Sequence, residues 1–380
     1  MLAARAHLPD GRLGPGLARL TAEIARLMDA FAAAGATAVD PPALQPADIL
    51  LDLYGEDIRA RAYVVRDPAR GEMMLRPDFT VPVVRMHMAH GAEPARYAYA
   101  GPVWRMQEPG SPRPSEYLQA GFEIFGAPDP AQADAEVFAL IRDLVGADAA
   151  LVETGDMGVL AAAVEGLDTA PHRRAALRRH LWRPARFRRL LERFGAGHAA
   201  ETAARAALLA RVAAEGAPAV IAAAGPEIGL RGAAEVAERL ARLAEEARTP
   251  PLSAEQVAGI EAVLAISAPM EAALGQLRAL ALPGLGPACD RIEARMEALA
   301  ARGIDAAALP FATSFGRTTL EYYDGFVFGF SAPGRPDLPP VAQGGRYDRL
   351  TEALGGGRRL PAVGAIIRPE VLLAARGCPA

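Results

Sequence analysis

Nine arginines crowd the stretch 171–194 (Arg173, Arg174, Arg178, Arg179, Arg183, Arg186, Arg188, Arg189 and Arg193), with Trp182 and Phe187 between them. Guanidinium groups at that density can follow a nucleic-acid backbone or an acidic protein surface, and interleaved rings can stack on bases. Pro184 interrupts any helix through the run, however, and the chain contains no lysine, so arginine carries its basic charge everywhere. The run therefore reads first as a solvated or partner-contacting face. Gly355-Gly356-Gly357-Arg358-Arg359 could cradle a phosphate, yet it has no G-K-[ST] and no strand directly before it, so a loop is expected. Cys289 and Cys378 lie far apart without a C-x-x-C partner, which excludes a disulfide framework and a thiolate zinc site. No cofactor or metal is expected. Asp78 after Arg76-Pro77, and tyrosines at strand-like positions, are each explained singly by a turn cap and by packing.

The elements that must position such residues fall into three blocks. Leu17 to Ala34 has apolar residues at helical spacing, closed by Gly35, and an extended run then ends at Pro41 and Pro42. Short strand-like runs follow at Ala62–Arg66, Glu72–Leu75, Arg96–Arg105 and Tyr117–Phe125, then a helix at Asp134–Val145 and a strand at Ala150–Glu153. From 156 to 305 the strand signal disappears into helical periodicity. It returns at Phe311–Phe330, near Pro340–Gln343 and at Ala362–Ile367, with a helix after Gly345. A core built from 1–155 and 306–380, interrupted by a helical module of 156–305, is the expected organisation.

A net charge of -4 and a pI near 6.0 supply no overall field for nucleic acid. Arg5, His7, Asp10 and Arg12 precede any apolar run, and Arg205, Arg211 and Glu215 break the alanine-rich stretch 203–224, so neither a signal peptide nor a membrane span is expected. A reducing cytoplasm fits these features.

Leu75-Arg76-Pro77-Asp78-Phe79-Thr80, followed by the stretch from Arg96 to Arg105, resembles the class II aminoacyl-tRNA synthetase core, and histidyl-tRNA synthetase in particular. Four further segments occur in the same order: the stretch from Glu116 to Glu123, Ala133-Asp134-Ala135-Glu136-Val137, Leu320-Glu321-Tyr322-Tyr323, and Gly344-Gly345-Arg346-Tyr347-Asp348. The resemblance covers about residues 15 to 155 and 308 to 375. It implies an α+β fold, an antiparallel sheet flanked by helices, with a helical insertion. By the same resemblance Asp78, Thr80 and Gln119 face a ligand's amino group, Glu123 accepts from an imidazole, and Tyr322, Tyr323 and Tyr347 wall the ring. Arg105 falls on the motif 2 arginine.

Other synthetase arginines are missing. Ser115 stands where the motif 2 loop carries one, with Arg113 two residues earlier. Thr318 stands at the histidine-specific position, with Arg317 one residue off. Val371 stands at the motif 3 position, with Arg368 nearby. An anticodon-binding domain is also not expected. A core that keeps amino-acid-binding residues and loses phosphate-clamping ones resembles the regulatory-subunit family of short-form ATP phosphoribosyltransferase. The resemblance implies a homodimer within a hetero-oligomer with the catalytic subunit, free histidine as ligand, and no aminoacylation; tRNA binding is not expected. Two alternatives stay open: an enzyme adenylating an amino acid for a non-tRNA acceptor, and a non-catalytic RNA-binding module.

Overall fold

The structure is a computed structural model that describes residues 11–47, 59–108, 110–111, 113–146, 150–196, 203–226, 232–317 and 321–378. The elements up to the first long hairpin are α1 (Gly14–Ala33), β1 (Thr37–Ala38), β2 (Leu44–Pro46), β3 (Val64–Asp67), β4 (Gly71–Leu75), α2 (Thr80–His90), β5 (Ala95–Trp104) and β6 (Glu116–Phe125). There follow α3 (Pro130–Val145), β7 (Leu151–Asp156), α4 (Met157–Glu165), α5 (Pro171–Arg179), α6 (Pro184–Phe194), α7 (Ala203–Glu215), α8 (Ala217–Ala223), α9 (Ala233–Arg248) and α10 (Ala254–Ala265). The chain returns through β8 (Ser267–Pro269), α11 (Met270–Ala279), α12 (Gly286–Ala300), β9 (Pro310–Ala312), β10 (Phe326–Ser331), β11 (Ala342–Arg346), α13 (Asp348–Leu354), β12 (Ala362–Ile367) and α14 (Pro369–Ala375).

Two compact units emerge, one of Met1–Ala163 with Ala262–Ala380 and one of Val164–Glu261. The first holds a nine-stranded sheet in the order β1-β5-β6-β12-β11-β10-β7-β9-β8, and a separate three-stranded sheet β2-β4-β3. The large sheet is antiparallel except at β1–β5 and β7–β9, which pair in parallel. Its central strands are buried on both faces, as the run Ala362–Ile367 shows residue by residue. Helix α1 turns Leu20, Leu27 and Phe31 inward at i, i+7 and i+11. Each fully buried side chain of that size stabilises by about 1.5–3 kcal/mol. Glu23 on the same stripe is paired with Arg26 and Arg376, which ties α1 to the end of α14. Asp129 caps α3 by accepting from the amides of Ala131 and Gln132, with Pro130 in the first turn, so this helix starts earlier than Asp134.

The helical unit is narrower than the expected 156–305. Helices α11 and α12 belong with the first unit, where α12 packs on α3 and Arg295 pairs with Asp134 at 3.0 Å. The stretch 156–305 also contains a short strand, β8, that joins the large sheet through β9. Phe311–Phe330 is not one continuous strand: its ends form β9 and β10, and residues 313–317 between them form a turn. Among the described residues no single helix is long and apolar enough to cross a membrane.

Within the second unit part of the arginine-rich run is structural. Arg173 is buried and donates to the carbonyls of Glu246, Thr249 and Pro250, which satisfies acceptors left over at the end of α9. Arg174 donates to Leu167 and Thr169, and Arg178 pairs with Glu165. Helix α6 buries Phe187, Leu191 and Phe194 and leaves Arg188, Arg189 and Arg193 exposed.

Candidate functional site

Alternate residues of a strand share a face, so Gln119, Gly121 and Glu123 of β6 point together, in register with Gly101, Tyr99 and Tyr97 of β5. Tyr99 lies over Gly121, where a Cβ would stand 2.4 Å from the phenol oxygen, and donates to Glu123 Oε1 at 2.8 Å. Thr80, the first residue of α2, donates to the same oxygen at 2.9 Å, and Tyr347 donates to Oε2 at 2.6 Å. Gly364 on β12 is the register partner of Glu123, and a Cβ there would fall 1.4 Å from Oε2. Glycine is therefore the residue that lets a carboxylate lie flat in the centre of the sheet. Burial pushes the Glu123 carboxyl up to about 7, with the Asp78 charge adding, while the three hydroxyl donors pull it down.

A cavity of about 740 Å³ opens on this face, within the range of small-molecule sites. Asp78, Thr80, Arg105, Gln119, Tyr322 and Tyr323 line it. Glu123 and Tyr347 do not line it; they lie behind Thr80, fully buried. Direct acceptance of an imidazole proton by Glu123 is corrected accordingly: the residue does not border the cavity, and three hydroxyls donate to its two oxygens. Likewise Tyr347 contributes to the ring wall only from behind, through its edge contact with Tyr322 at 6.0 Å between centroids.

Three acceptors border the lined volume. Asp78 is 2% exposed and accepts from the Tyr322 hydroxyl at 3.3 Å and from the Val81 amide at 3.3 Å. Gln119 is 1% exposed, and its Oε1 has no hydrogen-bond partner among the described residues. The Thr80 hydroxyl has committed its proton to Glu123, so it faces the cavity with lone pairs. An ammonium group carries three donors and no acceptor, which is the complement of this trio. A buried acceptor without a donor costs about 1–3 kcal/mol, so Gln119 Oε1 calls for a donor from the cavity.

Cations gather on the other walls: Arg12, Arg61, Arg105, Arg113 and Arg368. Arg368 lies between β12 and α14, is 9% exposed, and donates to Pro340 O and to Gln343 Oε1 at 2.8 Å. Burial, with the like charges of Arg105 and Arg113, pushes its guanidinium down to about 10, which leaves it charged at neutral pH. Arg105 donates to Pro77 O at 2.8 Å and Arg61 to Met106 O at 2.9 Å. Arg12 pairs with Glu370, whose second oxygen accepts from the Leu118 amide at 3.0 Å. Phe315, Phe328 and Ile366 give the apolar floor, and Val371 and Ala374 an apolar wall. Arg317 is buried in the turn after β9 and does not line the cavity. Thr318 lies outside the described residues.

Behind the site an ionic network holds the frame. Asp134 accepts from Arg295 at 3.0 Å and from two nitrogens of Arg346 at 3.0 and 2.6 Å, and Arg295 also reaches Asp156 at 2.8 Å. Arg346 is the residue before Tyr347, so this network fixes the strand end from which Tyr347 reaches Glu123. Sequence reasoning named Arg368 only as a neighbour of the motif 3 position, and it passed over Gln343 and Tyr99 as site residues. Pro369 was a usable signal for Arg368, because proline in a first helical turn marks the strand-to-helix junction at which a side chain can turn into a cavity.

A nine-stranded, mostly antiparallel sheet among the described residues, bearing a polar cavity on its central strands, is a class II synthetase-like architecture. Superposition agrees at the level of fold: a crystal structure described as an ATP phosphoribosyltransferase regulatory subunit/histidyl-tRNA synthetase from Bacillus halodurans aligns with a TM-score of 0.69 at 20% identity, over 99% of this chain and 83% of that one. In sequence, the histidyl-tRNA synthetase family profile matches residues 12–250 and 237–372. The chain is 34% identical over 373 residues to the ATP phosphoribosyltransferase regulatory subunit of Mesorhizobium japonicum, covering 91% of this chain and 95% of the relative. The protein of the same name from Brucella canis is 34% identical over 369 residues, covering 89% and 93%. The chain therefore belongs to the histidyl-tRNA synthetase-like family of ATP phosphoribosyltransferase regulatory subunits.

Proposed function

We propose that this chain is the non-catalytic regulatory partner of a short-form ATP phosphoribosyltransferase catalytic subunit in the cytoplasm, activating the first step of histidine biosynthesis and carrying histidine feedback. The names of its relatives support the partner. The observation that carries the ligand is the juxtaposition, in one cavity, of the acceptors Asp78, Thr80 and Gln119 with the cations Arg105 and Arg368. In this reading the histidine ammonium sits on the three acceptors, its carboxylate faces the guanidinium groups, and its ring lies against Tyr322 and Tyr323, with Glu123 and Tyr347 shaping the wall from behind. A bidentate guanidinium–carboxylate contact gives both orientation and energy.

We infer that aminoacylation is absent, and the apolar residue at the motif 3 position supports that reading. Adenylation accumulates negative charge on phosphates, and each missing preorganised contact costs about 2.7–4 kcal/mol of barrier. Val371 gives the cavity a methyl-bearing surface where that chemistry needs a cation. The helix-strand-proline segment of α1 and β1 supports pairing of two copies within a hetero-oligomer. The test is reconstitution with a short-form catalytic subunit: co-elution, higher phosphoribosyl transfer with this chain than without it, and suppression by millimolar histidine are expected. No co-elution and unchanged activity would remove the reading. Light scattering should report at least a dimer, and a monomer at micromolar concentration would remove the pairing.

A further inference from the structure

We propose that Glu123 is a positioning residue that acts through Thr80: ionised, it holds the Thr80 proton and turns that hydroxyl into an acceptor for a ligand's ammonium group, and protonated, it reverses that hydroxyl and expels the amine. The inference rests on the amino-acid-binding reading above and adds to it a protonation control of affinity.

The argument is a count of hydrogens. Glu123 is 0% exposed, and three hydroxyls point at its two oxygens: Thr80 and Tyr99 at Oε1, Tyr347 at Oε2. Each hydroxyl has one proton, and all three are committed to the carboxylate. Three of the carboxylate's four lone-pair sites are filled, and a proton placed on the fourth would be a buried donor without an acceptor, so the favourable arrangement has one of the three hydroxyl oxygens accept it and send its own proton elsewhere. Tyr99 and Tyr347 are fully buried and do not border the cavity. Thr80 does border it, so beside the Tyr99 oxygen its proton has the cavity acceptors to turn toward. Its proton then points at the position where Asp78, Gln119 and Thr80 otherwise offer acceptors. A donor facing an ammonium is a mismatch, so amine binding and Glu123 protonation exclude each other, with reciprocal linkage.

The titratable and charged groups that face Glu123 among the described residues come from several elements. They are Asp78 from the turn before α2, Tyr99 on β5, Tyr323 from the segment before β10, and Tyr347 after β11. Its partner on β12 is Gly364, which carries no charge. Burial raises all three tyrosines, so none of them titrates near neutrality. The Glu123 carboxyl itself, pushed up by burial to about 7, does. At one pH unit below that value about one molecule in eleven is ionised, and apparent affinity falls with the competent fraction. A rise of about tenfold in the dissociation constant between pH 8 and pH 6 follows.

Calorimetry of the full chain with histidine at pH 6, 7 and 8 tests this. Wild type and Glu123→Gln are compared as a ratio at each pH, which cancels the titration of histidine's own ring. The ratio should change about tenfold across the range, since glutamine cannot ionise. Thr80→Ser should keep the step and Thr80→Val should lose it along with affinity. With each ligand's affinity corrected for the measured titration of its own ring, imidazolepropionate, which has the same ring and no amine, should show no step, and it serves as the second comparison should Glu123→Gln fail to fold. A step that persists in Glu123→Gln, or appears equally with imidazolepropionate, overturns the proposal, as does a flat wild-type profile with histidine still bound. No binding at any pH overturns both this inference and the histidine reading it rests on.

Discussion

Replacing Glu123 by glutamine should make the ligand-free protein lose a specific pH dependence of stability. The folded-state carboxyl stands at about 7, against 4.5 when unperturbed, because the sheet buries it. A raised carboxyl binds its proton more readily when folded, so its contribution is fully present below pH 4.5 and is lost as pH climbs through 7. A rise from 4.5 to about 7, at 1.36 kcal/mol per pH unit, corresponds to about 3 kcal/mol. Asp324, pushed up to about 6 by burial and by Asp348, drifts in the same direction, while Glu23 and Glu246, lowered by their arginine partners, drift in the opposite one. Only the difference between wild type and Glu123→Gln isolates the residue. Urea unfolding of both proteins at pH 5, 6, 7 and 8 provides it. Wild-type stability relative to the variant should fall by about 2–3 kcal/mol between pH 5 and pH 7 and level off above that. A difference constant to within about 0.5 kcal/mol over the series would refute the view that Glu123 is a buried, ionising group.

Asp134→Ala should destabilise the first unit by about 3–5 kcal/mol, because it strips three hydrogen bonds from Arg295 and Arg346 while both guanidinium groups stay buried; a loss below about 1 kcal/mol in urea unfolding would contradict the network's role. Arg368→Gln should weaken histidine by about tenfold to a hundredfold, the worth of one charged contact of about 1.5–3 kcal/mol, and unchanged calorimetric affinity would move the ligand carboxylate elsewhere. Histidine-dependent pyrophosphate exchange should be absent at high protein concentration beside an active synthetase control, and turnover in the usual range of about 1 to 1000 per second would restore an enzymatic reading.

The strands that carry the site were legible because their period of two and their apolar runs are local properties: β5, β6 and β12 fall within a residue or two of Arg96–Arg105, Tyr117–Phe125 and Ala362–Ile367. The faces that matter were also legible in Gln119 and Glu123, four residues apart on one strand. Their different fates were not, since Gln119 borders the cavity and Glu123 is sealed behind Thr80 by contacts from β5 and the end of β11. Register sets this, through Gly121 beneath Tyr99 and Gly364 opposite Glu123, and register is a non-local property. The same limit explains α12, whose helical period is plain but whose packing on α3 depends on Arg295 meeting Asp134 across 161 residues. Strand β8 is only three residues long and too short to announce itself.

A regulator needs its ligand to bind two states differently, and the cavity is built from two kinds of wall. Most of its floor, Gln119 on β6, Gln343 and Gly344 on β11 and Ile366 on β12, lies on central strands bonded on both sides, which cannot shift singly. Its rim comes from elements outside the sheet: Asp337, Leu338, Pro339 and Pro340 in the half-exposed connection between β10 and β11, and Glu370 and Val371 at the start of α14. Arg368 touches both, donating to Pro340 O on the rim and to Gln343 on the floor. In the proposed reading a carboxylate meets the guanidinium that holds the rim, and the rim residues 332–341, outside the sheet, are expected to respond before the strands do. Hydrogen exchange resolves the two. Amides of 332–341 and of the first turn of α14 should change protection on saturation with histidine, while those of β6 and β12 stay constant. Equal change in floor and rim, or change in the floor alone, would place the responsive element inside the sheet and end this account of how the cavity communicates.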